Sequence, residues 1–147
     1  MRTIKFRGKR VDNGEWVYGV PYFLQITEEE PEDSVNKACI ITGVDWDGTC
    51  GFMSPENRCF VEVHPETVGQ FTGLLDKDGK EIYEDDFVST DLQKPYNQVI
   101  YKNGCFMFEC FDDNLYHDIF YPTSDIAKSE WLYGKVLGNI HDNPELL

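Results

Sequence analysis

Residues Tyr96–Lys102 and Cys105–Phe111 flank the dipeptide Asn103-Gly104, and this arrangement constrains the fold more than any other stretch of the chain. Both arms are rich in aromatic and β-branched residues. Both alternate in the period of two that belongs to strands. Asn-Gly tolerates positive φ at two successive positions, as a type I′ turn requires, so the segment is a tight antiparallel hairpin. A hairpin needs a partner surface for its apolar face, and the rest of the chain supplies candidates.

Ile4 and Phe6 alternate with Thr3, Lys5 and Arg7, the pattern of a half-buried strand. Asp12–Glu15 is a turn cluster, and Trp16–Val20 returns as the second arm of a hairpin, with Pro21 limiting how far that arm can pair. Lys37–Val44 reads as a buried strand, Asp45–Gly48 as a turn, and Phe60–His64 alternates again. Pro65–Val68 fits one helical turn, because proline at its start loses no hydrogen bond. Asp78-Gly79 sits between two hydrophobic segments in a further hairpin, and Lys135–Ile140 is a last strand, closed by Asn143-Pro144. Asp125–Leu132 is the one good helix candidate, capped by Ser124 or Asp125 and ended by Gly134. Ten Phe, eight Tyr and three Trp suit pleated faces, which agrees with a mainly β chain carrying minor helix.

With 147 residues the chain is long enough for a real core, as one domain or two small ones. No apolar run is long enough to cross a bilayer, and the basic N-terminus lacks the apolar stretch of a signal peptide. These features place the protein in solution inside the cell, with no membrane role. The five cysteines, an odd number, then read as reduced thiols.

Few groups offer chemistry. No Cys-x-x-Cys occurs, Cys105 and Cys110 fall on opposite faces of a strand, and His64, His117 and His141 are scattered, so no metal site and no cofactor are expected. Of the thiols, only Cys39 near Lys37 and Cys59 beside Arg58 have a cationic neighbour. Asp76–Glu81 resembles a calcium loop, but with Gly79 as its sixth residue the first is Leu74 and the last is Asp85, where a bidentate glutamate is needed. Glu84-Asp85-Asp86 is the densest acid triplet and the candidate binding site. On a regular strand Glu84 and Asp86 share a face and Asp85 points away, a pair able to hold a proton or a divalent ion. The alternative is a bend in which a short acid accepts hydrogen bonds from local backbone.

Charge excludes more than it proposes. The net value is −14, yet the first ten residues carry Arg2, Lys5, Arg7, Lys9 and Arg10 and no acid. With +5 there, residues 11–147 must carry −19. Such a body repels phosphates, so direct nucleic-acid binding is not expected. The segment Thr27–Ser34, with five acids and a proline, reads as an exposed loop. The basic N-terminal strand is either a solvated face or a contact for an acidic partner, including the body of a neighbouring subunit.

Several blocks resemble one family. Ile4–Arg7 with Trp16–Gly19, Thr67–Leu74 with Asp78–Glu84, and Val136–Ile140 with Asn143–Leu146 are similar to the opening, middle and end of the YopX family of phage and prophage proteins. The resemblance brackets the whole chain, and it departs at two places. Asp85 stands where the family usually has glycine, and the acidic segment Thr27–Ser34 has no counterpart. The resemblance implies a β-rich N-terminal region over residues 1–70, an SH3-like barrel over residues 71–147, a phage or prophage origin and a setting in the bacterial host cytoplasm. It carries over no catalytic residue.

Three functions from different classes follow. The first is a non-enzymatic module that binds another protein or assembles with itself into a homo-oligomer. The second is an acidic nucleic-acid mimic that occupies a host protein's DNA groove. The third is a metal-dependent hydrolase using Glu84 and Asp86, with His64 or His141 brought close by the fold.

Overall fold

A computed structural model describes residues 3–26, 35–42, 60–89, 97–110, 116–118 and 134–146. The acidic segment Thr27–Ser34, the Asp45–Gly48 turn, Cys50, Arg58, Cys59 and the helix expected over Asp125–Leu132 lie outside these residues. Among the described residues the elements are eleven strands, all paired antiparallel, and two 3-10 turns, so the chain is mainly β as expected. No helix among them is long and apolar enough to cross a membrane. The chain forms two compact units, Thr3–Gln70 and Phe71–Leu147.

In the N-terminal unit, β1 (Phe6–Lys9), β2 (Trp16–Ile26), β3 (Val35–Ile41) and β4 (Phe60–Val63) pair in sequence order, and the first residues of β5 (Gly69–Leu75) join the free side of β1. The β1–β2 turn is held by Arg10, whose guanidinium spans both carboxylate oxygens of Asp12 at 2.8 and 2.6 Å. Strand β2 changes partner along its length. It faces β1 as far as Gly19 and β3 from Val20 onward, so Pro21 lies just past the last rung to β1 and its missing N–H breaks none of them.

Past β1 the chain bends back to β4. His64 N–H donates to the Lys9 carbonyl at 2.9 Å, Val11 N–H donates to the Glu62 carbonyl at 3.2 Å, and Arg10 bridges Val63. The four strands thereby close into a ring, which covers the β4 edge at Glu62–Val63. Inside it Ala38, Ile40 and Val63 are fully buried against Phe6, Val17 and Val68. The approach of β2 to β3 is close enough that a Cβ on Gly19 would collide with the Ile41 carbonyl oxygen. The turn Pro65–Thr67 follows β4 as expected, and Thr67 Oγ1 accepts the Lys9 N–H at 2.8 Å.

The C-terminal unit pairs the rest of β5 with β6 (Glu81–Tyr83). It also holds a sheet of β7 (Asp86–Ser89), β8 (Asn97–Lys102), β9 (Cys105–Cys110), β10 (Tyr116–Asp118) and β11 (Lys135–Asn139), in the order β10-β9-β8-β7-β11. Asn103 and Gly104 adopt φ of 54° and 83°, the type I′ turn predicted between β8 and β9. Ile82, Val88, Val99, Phe106, Phe108 and Val136 pack into one core with Leu74 against it. Each such side chain contributes about 1.5–3 kcal/mol by leaving water.

Candidate functional site

The acid triplet does not continue a strand. Glu84 and Asp85 form the turn between β6 and β7, and only Asp86 belongs to β7, so the alternation expected along Glu84–Asp86 is broken. Asp85 adopts φ 68°, a left-handed conformation that Asp tolerates better than most residues, so the tight turn forms without glycine. Its backbone joins strand β8 to the turn that follows β11. The N–H donates to the Val99 carbonyl at 2.8 Å, and the carbonyl accepts the Ile140 N–H at 3.0 Å.

The three carboxylates are turned to different tasks. Asp86 is 1% exposed, and its Oδ2 accepts the Tyr83 N–H at 2.8 Å. Asp85 Oδ1 accepts from Gln98 Nε2 at 3.2 Å, and Oδ2 lies 3.3 Å from His141 Nε2. Glu84 is half-buried in the turn. Of the histidines considered from sequence, His141 therefore reaches the triplet, through Asp85 rather than through Glu84 or Asp86. His64 belongs to the N-terminal unit, where its Nδ1 lies 3.7 Å from Glu66. Among the described residues no three His, Cys, Asp or Glu side chains are grouped as metal ligands.

His141 is positioned by Asn139, a buried residue that sequence reasoning passed over. Asn139 Oδ1 accepts the backbone N–H groups of His141 and Asp142 at 3.0 and 2.9 Å, while its amide donates to Asp142 Oδ2 at 2.8 Å. Asn side chains favour such local turns, and the Gly-Asn-Ile-His-Asp-Asn run carries that signal. Two separate sequence blocks thus meet. The Glu84–Asp86 turn and the Gly138–Asn143 turn are fastened by a backbone bond at Ile140 and a side-chain bond at His141.

Asp76, the first residue of the calcium-like run, is equally committed to backbone. It is buried, with Oδ1 accepting the N–H groups of Asp78 and Lys80 at 2.9 and 2.8 Å and Oδ2 accepting that of Val136 at 3.1 Å. Burial works to raise this carboxyl, but the Val136, Lys80 and Asp78 N–H groups and the Lys80 charge outweigh it and hold it below the usual 3.8. The Asp76 carboxylate ties the β5–β6 turn to β11, assisted by Lys77 N–H to the Gly134 carbonyl at 2.9 Å.

A different surface carries apolar groups into solvent. On the outer side of the N-terminal ring, Tyr18, Val20 and Tyr22 follow one another on β2 at 45%, 57% and 48% exposure. Val20 is level with Ile41 on β3 and Phe60 on β4, and the Tyr22 and Phe60 rings meet edge to face at 6.2 Å. On the β1 side, Lys5 lies 5.1 Å from the Tyr18 ring centre and Arg7 lies 4.5 Å from that of Trp16. On the β3 side, Lys37 pairs with Glu62 at 3.2 Å beside Cys39. Burial first, and then Glu62, push the Cys39 thiol above its ordinary value despite Lys37. Its cationic neighbour therefore does not make it a thiolate. Trp16–Val20 was legible in the sequence as the second arm of a hairpin. The residues that continue the stripe past Pro21 were not recognised there.

Comparison with known proteins places this architecture. The fold is similar to the crystal structure of protein EF1440 from Enterococcus faecalis, with a TM-score of 0.54 and 26% identity over 100% of this chain and 99% of that one. No curated protein matches the chain. The family model described as YopX protein matches residues 5–147, so the chain belongs to the YopX family.

Proposed function

We propose that this protein acts by binding protein rather than by catalysis, as a self-associating module whose contact face is the outer side of β1–β4. The observation that carries the reading is the exposed stripe Tyr18, Val20 and Tyr22, extended across the sheet by Phe60. Contiguous aromatic and aliphatic groups in water mark contact surfaces, and tyrosine is enriched there because its ring packs while its hydroxyl stays wet. The occupant is a second copy, since the basic first ten residues and the −19 of the remainder give one chain both signs of charge. The acids that suggested metal chemistry support the same reading. Asp76, Asp85 and Asp86 are engaged with backbone N–H groups, Gln98 and His141.

The C-terminal unit serves in this reading as an SH3-like scaffold, supported by its five antiparallel strands. The setting is a phage or prophage product working in the bacterial host cytoplasm, which rests on the family. Size-exclusion chromatography with light scattering over a concentration series tests self-association. The expected result is mass rising with concentration for the wild type, and a monomer for Val20→Lys/Tyr22→Glu with unchanged circular dichroism. A wild-type monomer up to the solubility limit overturns the proposal.

A further inference from the structure

We infer that Asn103 is a site of covalent modification: it cyclises through Gly104 and deamidates, turning the tip of the β8–β9 hairpin into aspartate or isoaspartate. The chain has two Asn-Gly dipeptides, Asn13-Gly14 and Asn103-Gly104, and the structure treats them oppositely. Glycine after asparagine favours the reaction, because no Cβ shields the backbone nitrogen that attacks. Both dipeptides are exposed, and a Cβ on either glycine would meet nothing within 4 Å. Exposure therefore does not separate them.

Hydrogen bonding does. At Asn13 the groups that must move are all held. Its Oδ1 accepts the Glu15 N–H at 3.0 Å, its Nδ2 donates to Glu15 Oε2 at 2.9 Å, and the Gly14 N–H donates to the Arg10 carbonyl at 3.0 Å. Among the described residues, nothing hydrogen-bonds the Asn103 side chain or the Gly104 N–H.

The backbone at Asn103 is also close to the reactive shape. It already holds φ 54°, and Lys102 and Cys105 form the rung that closes the hairpin. Types I′ and II′ both fit a two-residue loop, and they interconvert by turning the single peptide between the central residues. That motion carries ψ of Asn103 to about −120°, where the Gly104 nitrogen eclipses Cβ as a five-membered ring requires, and it leaves the closing rung in place. The Gly104 nitrogen attacks Asn103 Cγ and gives up its proton, the Cγ–Nδ2 bond breaks, and ammonia leaves a succinimide. Water then opens the ring, at Cγ to give aspartate or at the backbone carbonyl to give isoaspartate. Either product adds a negative charge. Isoaspartate also inserts a methylene into the main chain of a turn built for two residues.

Incubating the intact chain in mildly alkaline buffer tests this, with conversion at each site read by peptide mapping and isoaspartate by methyl transfer from an isoaspartyl methyltransferase. The expected result is conversion at Asn103 at least about tenfold faster than at Asn13, since the bonds holding Asn13 must first be given up. In guanidinium chloride the two rates are expected to converge to within about twofold, because unfolding removes those bonds. Glu15→Ala, folded by circular dichroism, is expected to speed Asn13 several-fold and leave Asn103 unchanged. Equal rates in the folded chain overturn the inference. A folded chain in which neither site converts while the unfolded chain converts at both would show that the turn locks Asn103, and overturns it too. A preference for Asn103 that persists in guanidinium chloride would trace the order to neighbouring sequence and overturn the structural cause.

Discussion

Each unit has strand backbone that is satisfied by something other than a full neighbouring strand, and the two do it with different chemistry. In the N-terminal unit the backbone does the work. Residues Lys9–Val11 return to β4 and close the ring. In the C-terminal unit carboxylates do it, with Asp76 on the Val136 N–H and Asp86 on the Tyr83 N–H. A buried carboxylate that collects backbone donors fixes a turn and closes an edge in one step. The contrast teaches that the acids beside glycine turns, the most conspicuous groups in the chain, belong to the fold. The exposed apolar stripe lies in the other unit, on residues that form no such motif.

Asp76→Ala should break this contrast most severely. It leaves three backbone donors without their acceptor, and the expected loss is about 2–4 kcal/mol in urea unfolding of the whole chain. A loss under about 0.5 kcal/mol would show that the carboxylate does not hold the β5–β6 turn to β11. Gly19→Ala is the matching break in the N-terminal unit. Its Cβ must displace the Ile41 carbonyl, with an expected cost of about 1–3 kcal/mol. Equal stability of wild type and variant would deny the close approach of β2 and β3.

Asp85 sharpens the comparison because its backbone and side chain can be tested apart. At φ 68° a β-branched residue is strained, so Asp85→Val should destabilise by about 1–3 kcal/mol. Asp85→Gly keeps the turn and loses only the bonds to Gln98 and His141, for a cost of about 1 kcal/mol. If glycine proves as damaging as valine, the carboxylate contacts matter more than the turn.

The Asp76 carboxyl also predicts a pH dependence. Its folded value lies below the 3.8 of the exposed group, so its stabilisation is complete above that value and is lost as pH falls through the lower folded one. Asp76→Asn should flatten the acid limb of the stability profile, as read from urea midpoints at successive pH. A limb of unchanged steepness would assign acid sensitivity to other carboxylates. The smallest effect belongs to Cys39. Glu62→Gln removes a charge that raises this thiol and should modestly speed its reaction with a disulfide reagent at fixed pH, while slower reaction would contradict the stated cause.

Local order was legible where one dipeptide or one alternation settles the backbone. Asn103-Gly104 predicted its turn, Pro65 its helical turn, and Thr3–Arg7 its strand, although β1 itself runs Phe6–Lys9. At Glu84–Asp86 the strand alternation misled, because a turn at Asp85 resets which way each side chain points. Nothing in local spacing shows that Asp76 will accept from Val136 or that His141 will reach Asp85, since those partners are 60 and 56 residues away in sequence.

By itself the sequence determined the mainly β class, the hairpin turns, the separation of charge between the first ten residues and the rest, and the resemblance to the family. These are properties of near neighbours and of composition, which backbone sterics and side-chain alternation express without reference to distant residues. Only the tertiary structure decided that β1 closes onto β4, that the conspicuous acids are spent on backbone donors, and that Tyr18, Val20, Tyr22 and Phe60 share one open face. Those outcomes depend on which strands become neighbours, and that is set by pairing between segments far apart in the chain.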